Sequence, residues 1–438
     1  MDNFNFQYLF TLFLLFLIAP TFAQQSFRPK ALIVTVKKDP STLQYITHIN
    51  QRTPSVPVNL VLDLGGQFLW VDCDRNYTSS TYRPARCHSA QCSLAGASGC
   101  GDCFSAPRPG CNNNTCGVLP DNTVTHTATS GELADDVVSV QSTNGFNPGR
   151  NVTVSQFLFS CAPTFLLQGL ANGVSGMAGL GRTKIAIPSQ LASAFSFHRK
   201  FAICLSSSAT SNGVVFFGDG PYVFLPNIDA SQLLTFTPLL INPVSTASAF
   251  PQGQASAEYF IGVKSIRIDE KTVPIKTSLL SINSEGVGGT KISTVNPYTV
   301  LEASIFKAVT EAFIKASAAR NITRVGPVAP FEVCFSSENV VGTRLGASVP
   351  TIELVLQNEK TIWRIFGANS MVSVKDDKVL CLGFVNGGEN ARTSIVIGGY
   401  QVENNLLQFD LATSRLGFSS LLYGSRTTCA NFNFTSTA

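Results

Sequence analysis

A mainly β chain folded as two lobes, with a few short helices, is the class this sequence predicts, and three observations carry it. At 438 residues the chain is too long for one small domain and matches two lobes of roughly 200 residues each. Hydrophobic residues make up 44% and charged residues only 13%, enough apolar material for a large core and too little charge for a disordered chain. Most of the readable segments pattern as strands, and only two read as helices.

Taken in order, the first element is a targeting segment over residues 1–23. Tyr8 to Ala19 is almost wholly apolar, Pro20 interrupts it, and Thr21-Phe22-Ala23 places a small residue just before a cut ahead of Gln24. Met1 to Gln7 lacks the usual Lys or Arg, which leaves a signal anchor as the alternative. The run is short for a span, and no other stretch reaches the ~18 uninterrupted apolar residues that a membrane helix needs. A secreted chain with no membrane partner is expected, with one lobe over 24–220 and a second over 221–438. In the first lobe, Val58 to Cys73 reads as a buried strand, a Gly65-Gly66 turn carrying Asp63, and a second apolar strand. Ile187-Pro188-Ser189-Gln190-Leu191 starts a short helix, and Val214 to Asp219 closes the lobe. In the second lobe Tyr259 to Asp269 alternates as one strand. Thr299-x-x-Glu302 then forms a capping box ahead of Leu301, Ile305, Val309 and Phe313, which repeat every four residues along one helix face. The formal charge is +4, one unit higher once Asp2 leaves with the leader, and it is not gathered in runs. Nucleic acid is therefore not an expected partner.

Twelve cysteines suit six disulfides made in an oxidising compartment. Seven of them crowd between Cys73 and Cys116, among glycine, proline and asparagine, and read as a stapled insertion over 73–116. Cys100-Gly101-Asp102-Cys103 has zinc-ligand spacing and His88 is near, but behind a signal peptide disulfides are the better reading, and neither metal nor cofactor is expected. Sequons at Asn76, Asn113, Asn151, Asn321 and Asn433 agree with passage through a glycosylating pathway.

Asp63-Leu64-Gly65-Gly66 running on into Leu69-Trp70-Val71 resembles the first catalytic loop of the pepsin-like aspartic proteases, which carries Asp-Thr-Gly-Ser. Ser130 to Val138 resembles the hairpin after their flap, Gly173 to Gly181 the apolar-Gly strand behind that loop, and Ser394 to Phe418 their terminal strands. The resemblance implies a bilobal pepsin-like fold over the whole mature chain. It also exposes a defect. Gly288-Gly289-Thr290-Lys291-Ile292 leads into Ser293-Thr294, so Ser293 stands where the second aspartate belongs. Such proteases depend on two carboxylates sharing one proton, and a serine hydroxyl stays neutral through the working pH range. Asp63 alone is expected to behave as an ordinary carboxylate. Leu64 replaces the threonine that braces the two loops, and the absence of tyrosine between Tyr82 and Tyr222 removes the one that closes over substrate. No catalytic residue is assigned. The plainer reading of Asp63, as of Ser293-Thr294, is a turn bonded to its own backbone.

Ser26-Phe27-Arg28-Pro29-Lys30, the Asp-Leu-Gly-Gly loop, Cys111 to Gly117 and Ser293 together resemble the plant extracellular dermal glycoproteins and xyloglucan-specific endoglucanase inhibitors, with xylanase inhibitors and basic 7S globulins as more distant relatives. That resemblance implies a monomeric apoplastic protein that blocks microbial glycoside hydrolases, family 12 endoglucanases in particular. It also implies Cys204–Cys429, tying the ends of the C-terminal lobe, and Cys334–Cys381. Finally, it implies inhibitory contacts from Arg344 and Arg426 in two loops of that lobe; if neither makes the contact, Arg392 in the Asn386 to Thr393 loop is the next residue to test. Taken without the resemblance, Arg344 and Arg426 are simply exposed arginines on surface turns. An atypical aspartic endopeptidase and a peptide-binding or storage protein are the alternatives.

Overall fold

The computed structural model describes residues 27–97 and 99–436. The expected leader, residues 1–23, lies outside them. Among the described residues strand accounts for 38% and helix for 14%, which is the mainly β class.

Each half of the chain builds the same four-strand unit around one loop. In the first half Gly176–Gly179 runs parallel to Val56–Asp63, with Gly179 opposite Asp63, and antiparallel to Trp70–Asp72. Trp70–Asp72 in turn lies parallel to the end of Pro148–Ala162. In the second half Ile395–Ile397 runs parallel to Thr290–Ile292 and antiparallel to Thr299–Leu301, which lies parallel to Phe384–Asn386. Asp63 ends its strand and Ser293 directly follows the equivalent one. Gly176–Gly179, Trp70–Asp72 and Ile395–Ile397 are buried at every position, so they show no alternation of covered and open residues.

A shared antiparallel sheet joins the halves. Its order is Ala31–Lys38, Gly213–Gly218, Lys200–Cys204, Leu406–Asp410, Arg415–Phe418 and Thr235–Leu240. Phe201 and Phe409, opposite each other across the seam, stack with ring centroids 4.9 Å apart, and Tyr259 packs on both. Cys204–Cys429 fastens the same seam. It ties a strand of the first half to the C-terminal tail, rather than closing the C-terminal lobe on itself.

Two local readings of the sequence are corrected. Tyr259 to Asp269 is not one strand: it breaks at Gly262 into Tyr259–Ile261 and Val263–Ile268, which belong to different sheets. The helix is Ala303–Ala318, and its cap is Glu302, whose carboxylate accepts from Ser304 N at 3.0 Å and Ile305 N at 3.2 Å. Thr299 and Leu301 lie in the preceding strand, where the Thr299 hydroxyl bonds Gln401 Oε1 at 2.9 Å. The apolar period was sound from Ile305 onward, since Ile305, Val309 and Phe313 are all buried.

Candidate functional site

The Asp63 loop and the loop after Thr290–Ile292 meet at the middle of the molecule. Asp63 is buried, and both of its oxygens are occupied: Gly65 N donates to Oδ1 at 3.0 Å and the Thr123 hydroxyl donates to Oδ2 at 2.8 Å. Gly66 is required here, because a Cβ would stand 2.8 Å from both Asp63 Oδ2 and Gly179 Cα. Burial pushes the Asp63 carboxyl up to about 6; the Thr123 hydrogen bond opposes the rise, and the Glu258 charge adds to it. Asp63 is therefore not an ordinary carboxylate: burial raises its pKa, with smaller additions from the Glu258 and Asp121 charges, although Ser293 supplies no partner carboxylate.

Ser293 makes the turn expected of it, its hydroxyl accepting from Val295 N and Asn296 N, each at 3.2 Å. Thr294 does not. Its hydroxyl donates to Leu62 O at 2.7 Å and accepts from Leu64 N at 3.0 Å, bracing one half against the other. Leu64 cannot return the brace; its side chain is fully buried in the main apolar core.

Loop 241–257 and the hairpin Asp121–Ala128 close over this centre. Asp121 accepts from Ser248 N at 2.9 Å and Ser248 Oγ at 2.8 Å, while its own carbonyl accepts from Trp70 Nε1 at 3.0 Å. Gln254 Nε2 donates to Gln67 Oε1 at 2.9 Å, and Arg392 Nη2 holds the loop through Ser245 O at 2.6 Å. Glu258 is clamped by Lys291 at 2.7 Å and by the Thr246 hydroxyl, and its Cγ sits 2.6 Å from where a Gly65 Cβ would be. About 30 Å³ remains open between Asp63, Thr123, Asp121 and Glu258, room for a water or two. Sequence reasoning missed Thr123 and Glu258, and their separations of 60 and 195 positions from Asp63 leave no local signal for either.

Arg344 and Arg426 lie elsewhere, on one stretch of surface. Arg344 tips the hairpin of Gly342–Thr343 with Gly346–Ala347, whose turn is held by Thr343 Oγ1 donating to Gly346 O at 2.7 Å. Arg426 follows the short helix Leu422–Ser425 in left-handed geometry, φ 60°, three residues before the buried Cys429. The loops are neighbours: a Cβ on Gly424 would meet Leu345 Cδ2 at 3.9 Å. Both arginines are exposed, and among the described residues neither guanidinium makes an ion pair or a hydrogen bond. Arg392, by contrast, is already committed to Ser245.

All twelve cysteines are paired, as Cys73–Cys161, Cys87–Cys100, Cys92–Cys116, Cys103–Cys111, Cys204–Cys429 and Cys334–Cys381. Cys87, His88 and Cys100 lie together, but with both sulfurs in a disulfide they offer no thiolate to a metal. Asn76, Asn113, Asn151 and Asn321 are exposed; Asn433 is half-buried, its carbonyl accepting from Asn147 Nδ2 at 3.3 Å. Among the described residues no helix is long and apolar enough to cross a membrane.

Two lobes of one repeated unit around a buried loop pair define a pepsin-like architecture, and the comparisons agree. A solved aspartic proteinase from Irpex lacteus shares the fold at a TM-score of 0.53 and 14% identity, over 91% of this chain and 99% of that one. Family models described as xylanase inhibitor N-terminal and xylanase inhibitor C-terminal match residues 45–219 and 258–420. A relative from Nicotiana benthamiana, "Probable aspartic proteinase GIP2", is 68% identical over 428 residues, 97% of each chain. The crystal structure of edgp superimposes with a TM-score of 0.93 at 70% identity, covering 94% of this chain and all of that one. The chain belongs to the xylanase-inhibitor-type family of pepsin-like proteins.

Proposed function

We propose that the protein is a secreted, proteolytically inactive inhibitor of microbial cell-wall-degrading glycoside hydrolases, acting in the plant apoplast on xyloglucan-specific endoglucanases of family 12. The carrying observation is the pair of exposed arginines, Arg344 and Arg426, on adjacent loops with no counter-ion among the described residues. Glycoside hydrolases place two carboxyl groups across an open cleft, and a guanidinium inserted between them is attracted and held by bidentate hydrogen bonds. The turn bonds of Thr343, and Cys429 behind Arg426, limit the entropy that each loop loses on docking.

The protease reading has less to stand on. Ser293 offers no second carboxylate, Glu258 is engaged by Lys291 and the Thr246 hydroxyl, and both oxygens of Asp63 are already hydrogen-bonded.

The test is inhibition of a purified family 12 xyloglucanase. Arg344→Ala and Arg426→Ala should each weaken it by about 2–5 kcal/mol if a buried charge pair is broken. Inhibition should also fade as the pH falls far enough to protonate the target's carboxylates. A double variant that inhibits like the parent sinks the proposal.

A further inference from the structure

Two exposed aliphatic side chains lie on the segments that carry or adjoin these arginines. Val341, 70% exposed, precedes the Arg344 hairpin, and its carbonyl accepts from Ser348 N at 2.9 Å. Leu225, 54% exposed, lies on a third segment far away in sequence. It is brought to the Arg426 turn by two hydrogen bonds. Thr427 Oγ1 donates to Leu225 O at 2.6 Å, and Leu225 N donates to Asn431 O at 2.9 Å. Gly424 lies between the hairpin and the turn, where an added Cβ would meet nothing within 4 Å except Leu345 Cδ2.

Single exposed hydrophobic residues are ordinary on protein surfaces, and several here are covered by their own chain. Phe27 lies under the Arg150 guanidinium at 3.5 Å and Phe236 under that of Arg415 at 4.4 Å. Leu225 and Val341 keep more than half of their surface open. They also share their surface with two cations unpaired among the described residues, and all three segments are held in place by backbone or side-chain hydrogen bonds. Apolar rim, free positive charge and an open glycine floor suit a partner that presents negative charge at its centre and apolar surface at its flanks.

We infer that segments 224–227, 340–348 and 424–427 form one docking surface, in which Leu225 and Val341 seat on the aromatic sugar platforms flanking a glucan hydrolase's catalytic carboxylates. The inference rests on the proposed function and extends it. The arginines address the carboxylates, the aliphatic pair addresses the faces on which sugar rings stack, and Gly424 leaves the clearance for the two surfaces to close. The surface therefore selects a hydrolase that has both an exposed acidic centre and aromatic flanks.

The experiment compares inhibition constants against a purified xyloglucan-specific endoglucanase for Leu225→Asp, Val341→Asp and Gly424→Tyr, beside Arg344→Ala and Arg426→Ala. Phe104→Asp is the control, altering a fully exposed hydrophobic in the cysteine-rich insertion. Leu225→Asp and Val341→Asp should each raise the constant about tenfold or more, the loss expected when one buried aliphatic contact is removed; Gly424→Tyr should raise it comparably by blocking close approach, and Phe104→Asp should leave it within about twofold. Leu225→Ala is the milder variant should the aspartate disturb folding, which thermal unfolding reports; a rise of about threefold is expected from it. Replacing a platform tryptophan of the hydrolase by alanine should erase the difference between the parent and Val341→Asp. If Leu225→Asp, Val341→Asp and Gly424→Tyr inhibit like the parent while the arginine variants fail, this surface is wrong and the arginine reading stands. If the parent does not inhibit, or if the arginine variants also inhibit normally, both are overturned.

Discussion

Asp63 shows how far one residue's surroundings can take it from its free-solution behaviour. Its carboxyl is pushed up to about 6 by burial, above its unfolded value, so its contribution to stability is fully present at low pH and is lost as the pH rises through 6. At neutral pH the native state carries a desolvated charge. Asp63→Asn keeps both hydrogen bonds, its carbonyl accepting from Gly65 N and its amide donating to the rotatable Thr123 hydroxyl. The substitution should be close to neutral at pH 3 and should stabilise the fold by about 1–3 kcal/mol at pH 8, as read by denaturant unfolding at the two pH values. Equal effects at both would show that Asp63 is not desolvated. Ser293→Asp is the reverse experiment. It adds a carboxylate without restoring the threonine brace at Leu64 or the room above Asp63. No acid-pH proteolysis sensitive to pepstatin should appear, and robust turnover by this variant would show that the second aspartate was all that was missing.

At the scale of the element, the cysteine-rich insertion is held by bridges of unequal exposure. Cys87–Cys100 and Cys103–Cys111 each have a half-buried or exposed partner, whereas Cys92 and Cys116 are both buried, as are both sulfurs of Cys334–Cys381 and Cys204–Cys429. Thiolate attack needs access to sulfur. Graded reduction with mass mapping of free thiols should therefore release Cys87, Cys100, Cys103 and Cys111 first, with Cys334 and Cys381 among the last; early labelling of Cys381 would contradict this order. The helix Ala303–Ala318 teaches a related lesson. A carboxylate at the first position before a helix caps as well as a hydroxyl, and Glu302 does so while Thr299 is already spent on Gln401 in the strand before it.

Across the whole molecule, the two halves are joined by more than the shared sheet. Glu403, 1% exposed, accepts from Lys38 Nζ at 2.6 Å and from the Tyr45 hydroxyl at 2.7 Å, both reaching over from the first half. Burial pushes the Glu403 carboxyl up, and the Lys38 charge pulls against it. Removing one partner of a buried pair strands the other. Lys38→Met should thus cost about 3–5 kcal/mol of stability near neutral pH, with part of the loss recovered at low pH, where Glu403 is protonated; urea unfolding at pH 4 and pH 8 measures both. A loss independent of pH would mean that Lys38 acts by packing alone.

What the residues determined by themselves were the parts built from contiguous chain. Apolar runs ending in Gly-Gly or Ser-Thr turns marked the two central loops, a four-residue apolar period marked the buried face of one helix, and Ser293 stood in plain view as a substitution. These are legible because strand burial, turn geometry and helix period all operate over a few neighbouring residues. Tertiary structure decided the rest. It placed Thr123 and Glu258 around Asp63, turned Thr294 from a local turn residue into a brace between halves, split Tyr259 to Asp269 between two sheets, and set Arg344 beside Arg426. Each of those outcomes depends on segments tens to hundreds of residues apart being brought together, and where the shared space is buried a carboxylate's pKa or a hydroxyl's partner follows from what packs against it.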